Sequence, residues 1–349
     1  MNPPVVVVIG AGASHVSGRY APEESPPLTR QLFDPTRAGD LLKTYTLAQA
    51  AGRVIERDMK ADSTIEFEEA LRRMQQDGFS HHAQMALAVP PFLQALLLRY
   101  SQDLSTESFR YGILVDELLK LPTSVHFVSL NYDTLLDDHL SSFSPLETLD
   151  SYIEAPLGWS LIKPHGSVAW YVEQAVEFDP TAPPGDLSVV QAPIECVPTK
   201  RLELHQIRAS TRDDPHGRTR RYPAIALPDG PKEQLVLPPQ HLQSLRGVLG
   251  RPEIYLLVLG YSALDTEILR LIMDGGCRVR RLTVVNADAA AALTVMDRIT
   301  NAGLDPIYPD VFDGSFAEWI DGDGLRRWTS EYLGPFTVTR PDELARQVG

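Results

Sequence analysis

The run Val5-Val6-Val7-Val8-Ile9, followed at once by Gly10-Ala11-Gly12-Ala13-Ser14, constrains this chain more than any other stretch. Five consecutive β-branched residues leave no polar face, so the strand they form must be covered on both sides, as in a parallel sheet between helical layers. The two glycines permit a tight turn whose backbone can come close to a pyrophosphate. A dinucleotide fingerprint continues with a third small residue and an acidic residue about 20 positions on, whereas this turn runs into Ser14, His15 and a Pro-rich stretch. A tight strand-to-loop turn with no ligand therefore stays open beside a nucleotide turn.

Similar apolar runs return at 124–130, 254–259 and 282–285. Strands of this kind separated by helices predict an α/β, Rossmann-like parallel sheet. Residues from about 40 to 121 read as a helical insertion. Ser63-Thr64-Ile65-Glu66 has the spacing of a capping box, and Phe67, Ala70, Leu71 and Met74 follow as a helical stripe. A second helix follows Pro90-Pro91, and a third spans about 107–119. The second insertion, 171–249, is Pro-rich, and between about 171 and 240 its proline density makes it irregular and excludes long helices. The expected division is a nucleotide-binding core of 1–39, 122–170 and 250–330, the two insertions, and a tail of 331–349. The helical insertion far exceeds an ordinary connection, which predicts a lobe over the cofactor cleft.

A length of 349 residues with 43% hydrophobic content supports a globular core, and the formal net charge of -14 argues against general binding to nucleic acid or membrane. Cys196 and Cys277 are the two cysteines. They can build neither a disulfide framework nor a four-cysteine zinc site, so a reducing, cytoplasmic location and no metal are expected. The N-terminal apolar run lacks a basic lead and is too short for a secretion signal or a membrane span. Arg201, Arg208, Arg212, Arg218, Arg220 and Arg221 follow Lys200 in an otherwise acidic chain. They read either as a solvated loop or as a contact for nucleic acid or an acidic partner.

Three motifs sit where parallel strands should end, the place where open α/β sheets bind ligands. In Ser129-Leu130-Asn131-Tyr132-Asp133, Asn131 is either the N-cap of the next helix or, with Asp133, a holder of a ribose hydroxyl and a carboxamide. In Lys163-Pro164-His165-Gly166-Ser167, the imidazole suits proton transfer near neutral pH, and the glycine leaves room beside it. In Gly260-Tyr261-Ser262-Ala263-Leu264-Asp265, Ser262 and Asp265 offer a hydroxyl and a carboxylate to a ribose or to the following helix.

In this order, Gly-Ala-Gly-Ala-Ser, Leu-Asn-Tyr-Asp, Pro-His-Gly-Ser and Gly-Tyr-Ser-x-x-Asp resemble the sirtuin-like family, specifically its bacterial branch of NAD-cleaving anti-phage effectors. The resemblance covers roughly residues 5–35, 124–170 and 254–320. It implies that Gly10, Ala11, Gly12 and Ser14 cradle the NAD phosphates. It further implies that Asn131 and Asp133 face the nicotinamide ribose and carboxamide, and that His165 is the catalytic base. Gly260, Ser262 and Asp265 would line the phosphate and ribose pocket, with Asn286 near the adenine-side ribose.

Deacylating sirtuins carry a zinc module of two Cys-x-x-Cys pairs after the His-Gly motif, and only Cys196 stands in that stretch here. Zinc is therefore expected to be absent, and water replaces acyl-lysine as the expected acceptor. A protein deacylase and a non-catalytic NAD or ADP-ribose sensor are the alternatives. The resemblance also implies an abortive-infection role with activation by a separate sensor, of Argonaute or DNA-translocating ATPase type, in a homo-oligomer or hetero-complex.

Overall fold

Strand β1 spans Val5–Ile9, and all five of its residues are buried. It belongs to a computed structural model that describes residues 2–21, 23–62, 65, 67–76, 80–155, 158–175, 194–196, 219–225 and 237–333. Along the chain come β2 (Val125–Ser129), β3 (Trp159–Ile162), β4 (Gly166–Ala175), β5 (Ile194–Cys196), β6 (Thr219–Ile225), β7 (Glu253–Leu259), β8 (Arg278–Val285) and β9 (Tyr308–Phe312). Six of these form one sheet in the order β3-β2-β1-β7-β8-β9. Every pairing in it is parallel. The chain moves outward from β1 to β3 and then returns to β7 on the other side of β1. That reversal leaves a topological switch point between β1 and β7, outside whose carboxyl ends such sheets bind ligands.

The alternation of β1 explains why both faces are apolar. Val5, Val7 and Ile9 join a core with Phe127, Leu257 and the helical lobe, while Val6 and Val8 join a second core with Val128, Leu256 and Val258. The second face is closed by Leu245 and Leu249 of the helix Pro239–Leu249, Ile268 and Ile272 of Thr266–Asp274, and Val295 and Ile299 of Ala289–Asn301.

Helices fill much of the stretch between β1 and β2, including Thr46–Ala61, Phe67–Gln76, Val89–Leu104 and Phe109–Leu118. Phe67, Ala70, Leu71 and Met74 are buried as the stripe predicts. Ser63 and Glu66 of the expected capping box lie outside the described residues. Pro90 and Pro91 occupy the first turn of Val89–Leu104, where a helix needs no amide donor.

Part of the Pro-rich region is more regular than expected. β5, β4 and β6 form an antiparallel three-stranded sheet. Pro223 pairs with Tyr171 in it. This proline is tolerated because β6 is an edge strand, where one missing donor breaks no second ladder. Arg220 and Arg221 stand in register with Gln174 and Glu173. Arg201, Arg208, Arg212 and Arg218 lie outside the described residues. No helix among the described residues is long and apolar enough to cross a membrane.

Candidate functional site

A cleft of about 740 Å³ opens at the switch point. That volume lies in the range of small-molecule and cofactor sites, ~300–1,000 Å³. Gly10, Ala11 and Gly12 reach it from β1, Asn131 from β2, His165 from the loop before β4, Gly260, Ser262 and Asp265 from β7, and Asn286 from β8. Ser14 and Asp133 are not among its lining residues and stand behind the wall, both buried.

The glycine pattern has a partner inside the protein. Gly260 adopts φ +58, and a Cβ there would sit 2.2 Å from the Ala13 nitrogen. A Cβ on Gly10 would meet the Gly260 carbonyl oxygen at 2.6 Å. The turns after β1 and β7 thus interlock backbone against backbone, joined by Gly12 N–H donating to Gly260 O at 3.0 Å. Glycine at 10 and 260 is required by this contact whether or not a phosphate is present.

Asn131 is not a helix cap. Thr134 holds the cap position of Leu135–Leu140, and Asp133 Oδ1 accepts from the Leu135 amide at 3.1 Å. The Asn131 side-chain amide donates to Gly10 O at 3.0 Å and to Ser14 Oγ at 2.9 Å, tying β2 to the glycine turn. Ser14 Oγ lies 2.9 Å from the Tyr111 hydroxyl. Burial raises the Asp133 carboxyl, opposed by Lys163, Ser14 and the Leu135 amide. Burial likewise pushes the Tyr111 hydroxyl well above its ordinary value. Asp133 stands behind the wall instead of lining the cleft, with Oδ1 accepting from the Leu135 amide. Asn131 itself lines the cleft, and its Oδ1 accepts no hydrogen bond among the described residues.

His165 is the best-placed proton-transfer group. Its Nε2 lies 2.8 Å from Asp265 Oδ2, a close pairing of imidazole and carboxylate at a buried oxygen that makes no aligned hydrogen bond among the described residues. A carboxylate at 2.8 Å favours the tautomer with its proton on Nε2, and Nδ1 is the ring nitrogen on the Glu68 side. Asp265 also caps Thr266–Asp274, Oδ1 accepting from Glu267 at 2.9 Å and Ile268 at 3.3 Å. Burial works to raise its carboxyl, but the hydrogen bond and charge of His165, with the two amides, hold it below the usual value. Asp265 is thus the expected cap through one oxygen, while its other oxygen meets His165.

At the far end, Asn286 donates to Tyr261 O at 3.2 Å, and its Oδ1 accepts from Ala287 N–H at 2.9 Å. Arg298 donates to the Ser262 carbonyl at 2.7 Å. Sequence reasoning missed Arg298, Arg30 and Glu68, all of which line the cleft. Glu68 belongs to the helical insertion, and no local pattern marks it as facing a cleft built by strands far away in sequence. Its helix carries a Phe67-Ala70-Leu71-Met74 stripe that fixes which side is buried, which is the one usable clue.

Cys277 precedes β8, its thiol pushed up by burial, while Cys196 ends β5. Among the described residues no group of three or more His, Cys, Asp or Glu can hold a metal ion. Metal analysis of purified protein is expected to find no stoichiometric zinc, because two cysteines do not supply a structural site's four ligands. One zinc per chain overturns this expectation and restores the deacylase.

Met59, Ile65, Phe67 and Glu68 bring the helical insertion to the cleft wall. If the lobe closes on a dinucleotide, amides across 40–121 should exchange more slowly when NAD is added to His165→Ala protein. Unchanged exchange there, with protection of the Gly10–Ser14 turn, marks a permanently docked wall instead.

No family model matches the sequence, and no curated protein matches it. Among solved structures, the chain is similar to a crystal structure of a Sir2 homolog–NAD complex, at 13% identity over 95% of this chain and 91% of the other, with a TM-score of 0.37.

Proposed function

We propose that this chain cleaves NAD to nicotinamide and ADP-ribose, with water as the acceptor. The observation that carries the reading is the His165–Asp265 pair at 2.8 Å, set in a cleft at the sheet's switch point that Asn131 also lines. The ordered motifs that resemble the sirtuin-like family support the same assignment. In the reaction the bond from the ribose C1′ to the pyridinium nitrogen breaks, and nicotinamide leaves with the electron pair. Positive charge develops on the sugar, and a water oxygen bonds to C1′ as its proton passes to His165 Nδ1.

Asn131 Oδ1 orients the ribose or the attacking water, and Asp133 fixes the turn behind it through the Leu135 amide. Gly10, Ala11 and Gly12 lie along the diphosphate, with Gly260, Ser262 and Asn286 toward the adenine-side ribose. Activation by a separate sensor protein, assembly into an oligomer, and a role in abortive infection belong to the same proposal and rest on the resemblance. The test is nicotinamide release from NAD, with and without an acetylated peptide, at low and high protein concentration. Peptide-independent release is the expected result, peptide-dependent release indicates a deacylase, and binding without release indicates a sensor.

A further inference from the structure

His165 has a second acidic neighbour that the reaction above leaves unused. Glu68 comes from the helix Phe67–Gln76 of the insertion. Its Oε1 accepts a hydrogen bond from the Tyr132 hydroxyl and lies 3.9 Å from His165 Nδ1. The Tyr132 ring stands edge-on to the imidazole, with centroids 6.3 Å apart. Tyr132 sits between Asn131 and Asp133 in the motif that ends β2. One side chain of that motif therefore reaches the lobe while another, Asn131, reaches the glycine turn. His165 is bracketed by Asp265 on Nε2 and by Glu68 on the Nδ1 side.

We propose that Glu68, held by Tyr132, is a positioning residue that sets the orientation and charge of His165, so that the helical lobe completes the site. At 3.9 Å the two groups are beyond a good hydrogen bond but within the reach of a strong charge interaction. A carboxylate there favours the imidazolium formed when Nδ1 takes a proton. The side chain of Glu68 is 33% exposed, which damps the interaction without removing it. Among the described residues, the groups that face His165 include Asp265 from the β7 end, Tyr132 from the β2 end and Glu68 from the lobe, with His15 and Arg30 on the same cleft wall. The proposal rests on His165 being the proton-transfer group.

The test is the titration of the His165 imidazole followed by NMR in the full chain, in wild type, Glu68→Gln and Glu68→Ala. Removing the negative charge is expected to lower the titration midpoint by ~0.5–1 unit in both variants. A purely structural Glu68 leaves the midpoint in place, and an unmoved midpoint in either folded variant overturns the proposal. Failure of both variants to fold overturns it as well, since Glu68 would then serve the fold. The titration needs no NAD turnover. A shifted midpoint in a wild-type protein that releases no nicotinamide therefore retires the NAD-cleavage reading while keeping the Glu68–His165 coupling. If turnover is present, Glu68→Gln is expected to lower kcat with little change in KM for NAD, and Glu68→Asp to recover part of the loss.

Discussion

Replacing His165 by alanine is expected to lower nicotinamide release at saturating NAD by ~10²- to 10⁴-fold, the usual contribution of one positioned proton-transfer group. Binding of NAD should survive, because the glycine turns, Ser262 and Asn286 are untouched. The variant also removes the imidazole that lies 2.8 Å from the buried Asp265 Oδ2, so a stability loss of ~1–3 kcal/mol should accompany it. Calorimetric binding of NAD beside turnover separates these effects. Wild-type turnover in a folded His165→Ala protein removes His165 from the mechanism.

Asn131→Ala is a less clean experiment than its position after a strand implies. Its amide satisfies the Gly10 carbonyl and the Ser14 hydroxyl inside the wall, so truncation disturbs the glycine turn together with any ligand contact. His165 faces the cleft with one buried partner, whereas Asn131 belongs to the wall.

The sheet was legible because each central strand writes its own burial into its residues. Val5–Ile9 has no polar side to expose, and a strand without one demands two covering layers. The ends of those strands were legible for a related reason, since Gly, Asn, His and Asp clustered after apolar runs must serve turns, caps or ligands. Which of the three they serve was not legible locally. Asp265 caps a helix with one oxygen and meets His165 with the other, and Asn131 bonds a turn more than 100 positions away. Glu68 was invisible because its role exists only once the lobe meets the end of β2. The antiparallel sheet was hidden by Pro223, whose edge position forgives a missing donor that a central strand would not.

The largest stability effect outside the cleft is expected at Lys163, two residues before His165. Its ammonium is fully buried and donates to Asp137 Oδ2 at 2.9 Å and to the Asp133 carbonyl. Asp137, also fully buried, accepts a further bond from the Tyr152 hydroxyl at 3.1 Å. Lys163→Met leaves that carboxylate without its cation and should cost ~3–5 kcal/mol in urea unfolding, as breaking one side of a buried pair does. The double variant Lys163→Met with Asp137→Leu should recover most of the loss, because the uncompensated charge is gone.

The pH dependence follows from Asp138 beside this pair. Burial pushes its carboxyl up to about 7, with the charge of Asp137 adding and Lys163 opposing. It therefore binds a proton on folding, and the stability from that uptake is present at low pH and lost as pH rises toward 7. Lys163 helps only while its carboxylate neighbours are charged, so the Lys163→Met deficit should shrink at about pH 5 relative to about pH 8. A deficit below ~1 kcal/mol at neutral pH would place the pair among contacts that contribute little. The anchoring of the His165 loop would then have to come from Gly166, whose φ of +87 packs it against the Ala224 carbonyl.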